Sequence, residues 1–457
     1  MLYLSPKRSK IMKSLHSKSI IVSIFIVLTS CNSDNDFYQN ISNNIELESR
    51  IIALYGSKTE LIQPLETDFL SIPSDINNPI TEAKVELGKF LYHETMIAKN
   101  ANMEDGMYTY SCASCHHVDA GFQSGIKQGI GEGGLGFGSH GEGRTKNPLY
   151  IDSDLDVQPI RTPTTLNVAF QKVMLWNGQF GASGPNEGTE SQWTMGTPKE
   201  TNILGFEGIE TQAIAGLDVH RLKIEPNDII SSSYKVLFDN AFPSVDQNQR
   251  YTKLNAALAI AAYERTLLPN QSPFQNWLRG DNYAMNEDEV AGAKLFFDKG
   301  QCYTCHSGPG LNGMDFHALG MNDLAGIDIM TVVDEATKKG RGGFTGKPED
   351  DYKFKTPQLY NLKDVQFFGH GGSFQTIKEV VEYKNEATSE NGTVPQEKLS
   401  SLFVPLNLTE LEINQLTVFL EKSLYDDNLQ RYVPESLPSG NCFPNADYMS
   451  SSDLGCN

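Results

Sequence analysis

One pentapeptide pattern, used twice, constrains this chain more than anything else in it: Cys112-Ala113-Ser114-Cys115-His116 and, 190 residues later, Cys302-Tyr303-Thr304-Cys305-His306. In a Cys-x-x-Cys-His segment the two thiols form thioethers to the vinyl groups of a porphyrin, and the adjacent histidine is placed to bind the iron from one face. Four of the seven cysteines stand in these two segments. A zinc site built from the four thiolates is the other reading of paired Cys-x-x-Cys, but it leaves His116 and His306 without a task. Two covalent c-type haems are therefore expected, attached through Cys112, Cys115, Cys302 and Cys305, with His116 and His306 as iron ligands.

The first 30 residues carry Lys7, Arg8, Lys10, Lys13 and Lys18 ahead of an apolar run from Ile20 to Leu28. The run is too short for a spanning helix and has the flanks of a secretion signal. Small residues before Cys31 read as a lipoprotein processing site, so the chain is expected to face the periplasm or the cell surface, anchored by lipid at Cys31. Export is what c-type haem attachment needs. A formal net charge of −20 argues against a nucleic-acid partner and fits a solvated exported protein. Cys442 and Cys456 remain, and in an oxidising compartment they are expected to pair.

Residues 31–78 are polar and Asn/Ser-rich and read as a tether with a short helical stretch near 45–55. Folded sequence starts near Pro79, where Thr81–Leu91 opens on a capping residue and carries helical apolar spacing. Asn286–Phe297 echoes it, with the same polar start, Gly, Lys and aromatic end, and leads into Cys302. A repeated helix followed by Cys-x-x-Cys-His gives the expected fold: mainly α, two tandem cytochrome c-like domains at 79–280 and 281–430 with long irregular loops, then a tail at 431–457. The segment 252–267 reads as an amphipathic helix with Leu254, Ala257, Leu258, Ala261, Ala262 and Thr266 on one face. Gly121–Gly143 holds ten glycines in 23 residues and excludes regular structure there. Little β-structure is expected, at most short hairpins in 140–160 and 181–205.

These motifs resemble the bacterial di-haem cytochrome c peroxidases and the MauG-like enzymes. The matching pieces run in family order over 80–385: Leu87-Gly88-Lys89-Phe90-Leu91-Tyr92, Cys112–His116, Arg161-Thr162-Pro163-Thr164-Thr165-Leu166-Asn167, Leu175-Trp176-Asn177-Gly178, Tyr263-Glu264-Arg265-Thr266-Leu267, Cys302–His306, Phe354–Asn361 and His370-Gly371-Gly372-Ser373. The resemblance implies that peroxide reacts at the N-terminal haem, that the C-terminal haem passes or stores electrons, and that Trp176 bridges them. It also implies one calcium ion and a homodimer.

Departures from the family pattern matter as much. Sixteen residues after His116, where many members place a second iron-binding histidine, stands Glu132, so the first iron is expected to be open; His140 lies in the same stretch and could swing in. Gln212 matches the family glutamine, but the acid–base glutamate ten residues on has no occupant, and the nearest candidate is His220, which can shuttle protons near neutral pH. The second haem's distal position, fourteen after His370, falls on Lys384, with Tyr383 beside it; either would lower the potential relative to a Met ligand. For calcium, the asparagine's place falls on Arg161 or Thr162, neither a good donor for a hard cation, with the carbonyls of Val365 and Phe367 as other ligands.

The leading expectation is a peroxidase that reduces hydrogen peroxide with electrons from a small cytochrome or cupredoxin. A MauG-like oxidase that modifies Trp or Tyr of a partner protein is the second. A non-catalytic di-haem electron carrier is the third.

Overall fold

The computed structural model describes residues 32–456, with side chains from Ser42 onward. The signal segment and the proposed lipidation at Cys31 lie outside the described residues. Among the described residues no helix is long and apolar enough to cross a membrane. The architecture is mainly helical, and Asn43–Asn457 form one compact unit with two principal cores.

The helices that build the two cores are α1 (Asn32–Tyr55), α2 (Glu82–His93), α3 (Gly208–Val219), α4 (Tyr234–Ala241), α5 (Lys253–Arg265), α6 (Pro273–Leu278), α7 (Glu287–Phe297), α8 (Ile377–Glu386) and α9 (Glu410–Val418). Helix α2 starts where the Thr81 side chain accepts from Lys84 N, and it buries Leu87 and Leu91 against α5. The two cross closely because of Gly88: a Cβ there would stand 2.0 Å from the Ala259 carbonyl oxygen. The second core repeats the device. Helix α7 opens on a capping box between Asn286 and Glu289, and a Cβ at Gly292 would stand 2.0 Å from the Gln415 oxygen on α9. The shared Gly of the two echoing segments is thus a helix crossing in each core.

Helix α5 is buried on every side from Asn255 to Arg265, and Leu254 is exposed, so the expected one-sided amphipathic pattern does not hold. Its alanines at 256, 257, 259, 261 and 262 are small enough for neighbours to close on all faces. The Arg265 guanidinium clamps α5 to α3 by a two-pronged pair with Glu210, at 2.9 and 2.7 Å, both side chains fully buried.

Two expected boundaries shift. Leu47, Ile51 and Leu61 are fully buried in the second core with Phe274, Trp277 and Phe419, so this part of the supposed tether is structural, and α6 belongs to the second core although it precedes residue 281. Leu47 and Ile51 are one helical turn apart, a short stripe that the polar composition hides. The tail returns to the first core: Tyr432 packs there, and the Tyr263 hydroxyl donates to its carbonyl at 3.0 Å.

Strands β1 (Gly134–Leu135) and β2 (Thr145–Lys146) pair antiparallel, so the glycine-rich stretch 121–143, expected to exclude regular structure, does contribute one two-residue strand; β3 (Phe316–His317) and β4 (Phe354–Lys355) pair likewise. The stretch 181–205, where at most a short hairpin was expected, has no strand among the described residues; it forms two short 3-10 turns and the longer 3-10 helix Pro198–Leu204, its loops tied by Asn186 to the carbonyls of Gly178 and Gly181 and by Asn202 to that of Gln179. The expected disulfide is formed by Cys442 and Cys456.

Candidate functional site

Each Cys-x-x-Cys-His segment follows its glycine-crossed helix and forms a single turn, Cys112–Ser114 and Cys302–Thr304. His116 N and His306 N each donate to the first cysteine's carbonyl, at 3.1 and 2.9 Å, which brings the imidazole round beside the thiols. His116 Nδ1 donates to Phe122 O at 3.4 Å, and His306 Nδ1 faces Leu311 O and Pro357 O, both at 3.1 Å. Backbone carbonyls thus hold Nδ1 and leave Nε2 as the available donor in both rings, which is how an iron-binding histidine is oriented. Burial pulls both imidazoles down to about 4, so they are neutral ligands at ordinary pH.

The four thiols are unbridged. Burial pushes Cys112, Cys115 and Cys302 up to about 12, which fits groups destined for thioethers rather than thiolate ligands. Among the described residues no group of three or more His, Cys, Asp or Glu side chains could hold a metal ion, which removes the zinc reading. A cavity of about 390 Å³ opens on Cys302, Cys305 and His306. Its size and largely apolar walls fit a tethered porphyrin.

Near the first segment, the glycine-rich loop passes against the thioether position: a Cβ at Gly129 would lie 3.0 Å from Cys115 Sγ. Glu132 is not offered to this site. It is fully buried, accepts from Met103 N and the Tyr150 hydroxyl at 3.0 Å, and pairs with Arg221, so its oxygens are committed to holding the loop. His140 is exposed, in a loop whose neighbours Phe137 and Gly138 donate their amides to Asp453. His220 is brought to the site. It caps the end of α3, its Nδ1 lies 3.0 and 2.9 Å from the two carboxylate oxygens of Asp156, and it is near enough to His116 to depress that imidazole. Burial works against charge on His220, but the Asp156 carboxylate, by its charge and its hydrogen bond, carries the balance upward. Gln212 shares its face of α3: a Cβ at Gly216 would meet Gln212 Nε2 at 3.5 Å and His220 Cδ2 at 4.0 Å. Asp156 was missed in the sequence, where it is one of three alternating aspartates.

At the second site Lys384 lines the cavity with His306 and has no carboxylate partner among the described residues; burial lowers its amine to about 8. Tyr383 is turned away, its hydroxyl donating to Leu319 O at 2.5 Å, so of the two distal candidates only Lys384 reaches the cavity. Half-buried Trp176 lines the same cavity and donates from Nε1 to Arg161 O at 2.8 Å.

The calcium expectation does not fit. Arg161 is 1% exposed, its guanidinium lies 5.3 Å over the Phe367 ring, and it donates to Ile126 O and Ser124 O. A dication placed between Thr162 and the Phe367 carbonyl would face a buried positive charge.

The sequence also hid a second repeat. Arg161-Thr162-Pro163 and Lys355-Thr356-Pro357 each place a buried cation two residues before a proline whose carbonyl lies against a proximal histidine: Pro357 O faces His306 Nδ1 at 3.1 Å, and Pro163 O acts on the His116 ring. Asn167 and Asn361, four residues after those prolines, both take left-handed backbone, φ 60° and 55°.

Residues 82–283 match the family model described as di-haem cytochrome c peroxidase. The chain is 28% identical over 353 residues to the methylamine utilization protein MauG of Methylorubrum extorquens, covering 77% of this chain and 81% of the relative. It is 25% identical over 329 residues to the cytochrome c551 peroxidase of Pseudomonas aeruginosa, covering 72% and 78%. The crystal structure of a MauG-like protein associated with microbial copper homeostasis has a similar fold, with a TM-score of 0.53 at 21% identity over 79% of this chain and 95% of that one.

Proposed function

Because the chain belongs to the di-haem cytochrome c peroxidase and MauG-like family, we propose that it reduces hydrogen peroxide at the Cys112–His116 site with electrons delivered through the Cys302–His306 site. Haem iron, when bound, supplies the redox centre at which the O–O bond breaks. His116 and His306 would ligate through Nε2, and Lys384 would supply a further ligand at the second site. Trp176 stands in the cavity wall as the connecting aromatic group. Reduction of one peroxide to two waters takes two electrons and two protons, and the proton handling falls to His220. Its Nδ1 is held by Asp156, so Nε2 is the atom that takes a proton from one peroxide oxygen and returns it to the other. Gln212, on the same face, orients the peroxide.

The His220–Asp156 pair is the observation that carries this reading. His220→Gln, in protein matured with two haems by mass, is expected to lower kcat/KM for peroxide by about 10²–10⁴-fold. Asp156→Asn should lower it less and shift the acidic limb of its pH profile, with the optical spectrum unchanged in both. Full turnover in His220→Gln would remove the assignment.

Lys384 favours a second reading. An amine is a stronger donor to ferric iron than a thioether, so the second site would hold oxidising equivalents rather than accept electrons from an ordinary cytochrome. That is the chemistry a MauG-like oxidase of a partner protein needs. Steady turnover with a reduced small cytochrome or cupredoxin and peroxide supports the first reading, and sluggish turnover with a long-lived oxidised form supports the second. We place the protein outside the cytoplasm, anchored by lipid at Cys31, since c-type attachment requires export; labelling of Cys31 by a fatty-acid probe tests this.

A further inference from the structure

The cavity at the second Cys-x-x-Cys-His segment is lined by buried positive charge that the protein does not balance. Arg161 donates through Nη1 and Nη2 to carbonyls alone, Ile126 O at 3.1 Å and Ser124 O at 3.2 Å, and its Nε has no hydrogen-bond partner among the described residues. Lys355, 7% exposed, donates from Nζ to Val173 O at 2.9 Å and to the Gln171 side-chain oxygen. No carboxylate acts on either cation; burial alone lowers Arg161 to about 9 and Lys355 to about 7. Two other buried guanidinium groups are paired with carboxylates, Arg265 with Glu210 and Arg144 with Asp447, and a third, Arg341, has its contacts met by the Asn186 side-chain oxygen and the carbonyls of Asn177, Gly178 and Pro185, whereas Arg161 keeps an Nε unpartnered among the described residues. Asp323, the one acid on the cavity wall, faces His370 at 3.3 Å and Asn391 at 3.3 Å. An unpaired charge taken out of water is strongly unfavourable, so a cavity wall with two such cations is built for an anionic guest.

The guest's chemistry follows from the same wall. A porphyrin tethered through its vinyl groups carries two carboxylates, the propionates, on the opposite edge. Cys302 and Cys305, to which the vinyl edge would be tethered, line the same cavity as Arg161 and Lys355. We propose that Arg161 and Lys355 are the anchors for the two propionate carboxylates of the haem attached at Cys302 and Cys305, an assignment that rests on that haem being present. Each cation sits two residues before the proline whose carbonyl faces a proximal histidine, so one short segment sets an imidazole and a carboxylate anchor together.

The test uses matured holoprotein and the variants Arg161→Gln, Lys355→Met and, as a control at the cavity mouth, Lys338→Gln, whose lysine is already paired with Glu335. Mass spectrometry first counts haems: absence of the second haem from the unmutated protein overturns the functional reading itself. With both haems present, Arg161→Gln and Lys355→Met should each lower the midpoint potential of the second haem, because a buried cation opposing the ferric charge is gone. Each should also shift the propionate bending bands in resonance Raman and make the potential pH-dependent near neutrality, and Lys338→Gln should do none of these. If Arg161→Gln fails to mature, Arg161→Lys, which keeps the charge and loses the fork, should shift the bending band with the potential nearly retained. Bands and potentials unchanged in every variant that matures overturn the proposal.

Discussion

His93 and His220 are the same side chain sent in opposite directions by their neighbours. His220 has Asp156 against its ring and is raised. His93, 3% exposed on the last turn of α2 among the rings of Tyr92, Tyr263 and Phe443, donates from Nδ1 to Lys89 O, and burial pulls it from 6.5 to about 4, with the Lys89 charge adding to the effect. Between those two values the unfolded chain takes up a proton that the native ring refuses. Native stability therefore falls as pH drops through the window from 6.5 to 4, by about 3 kcal/mol at its lower end. His93→Gln keeps a donor for Lys89 O and cannot titrate, so its unfolding free energy should change less steeply with pH over that window. Denaturant titrations at several pH values give the comparison, and parallel curves for the two proteins would show that His93 titrates normally in the native state.

The glycines at the two helix crossings were legible as an echo in the sequence, but their purpose was not, because a crossing is a contact between segments far apart in the chain. Alanine favours a helix interior over glycine by roughly 1 kcal/mol. Here that gain is outweighed: the added Cβ would lie 2.0 Å from a backbone oxygen of the facing helix at both positions, and backbone cannot step aside as a side-chain tip can. Gly88→Ala and Gly292→Ala are each expected to destabilise by roughly 2–3 kcal/mol, at the upper end of overpacking effects. Sitting in separate cores, the two should add within about 0.5 kcal/mol. A thermal melt showing either alanine neutral would mean that the helices do not cross this closely. What the sequence carried well at this scale were α2 and α7, each announced by a capping side chain and regular spacing. Helix α5 was misread because alanines pack on every face and blur the polar side, and the site groups were only half legible: Lys384 and His220 by position, Arg161 by its motif but with calcium as its supposed purpose, and Asp156 by no local signal.

At the scale of the molecule the two chain ends were the parts least visible in composition, since both are polar. Residues 43–61 serve the second core, and the tail serves the first, reaching back to hold the glycine-rich loop, whose regular structure is limited to the two-residue strand β1. Asp447 is the link. It accepts from Gly136 N at 3.0 Å and faces Arg144 Nη1 at 3.4 Å, both side chains of the pair being almost fully buried. Arg144 in turn donates to the carbonyls of Ile130 and Gly131, at 2.5 and 2.7 Å, one step along from the glycine that lies against Cys115. The tail thus reaches the first Cys-x-x-Cys-His segment through one guanidinium, and the Cys442–Cys456 disulfide closes the segment that carries Asp447. Asp447→Ala leaves Arg144 buried without its carboxylate, which should destabilise by about 3–5 kcal/mol. Because the contact belongs to one core, the effect should be local: faster proteolysis within 134–143 and a changed EPR spectrum at the first haem, with the second haem's signal as in the parent protein. Equal disturbance of both haem signals would mean that the loop is held by something other than the tail.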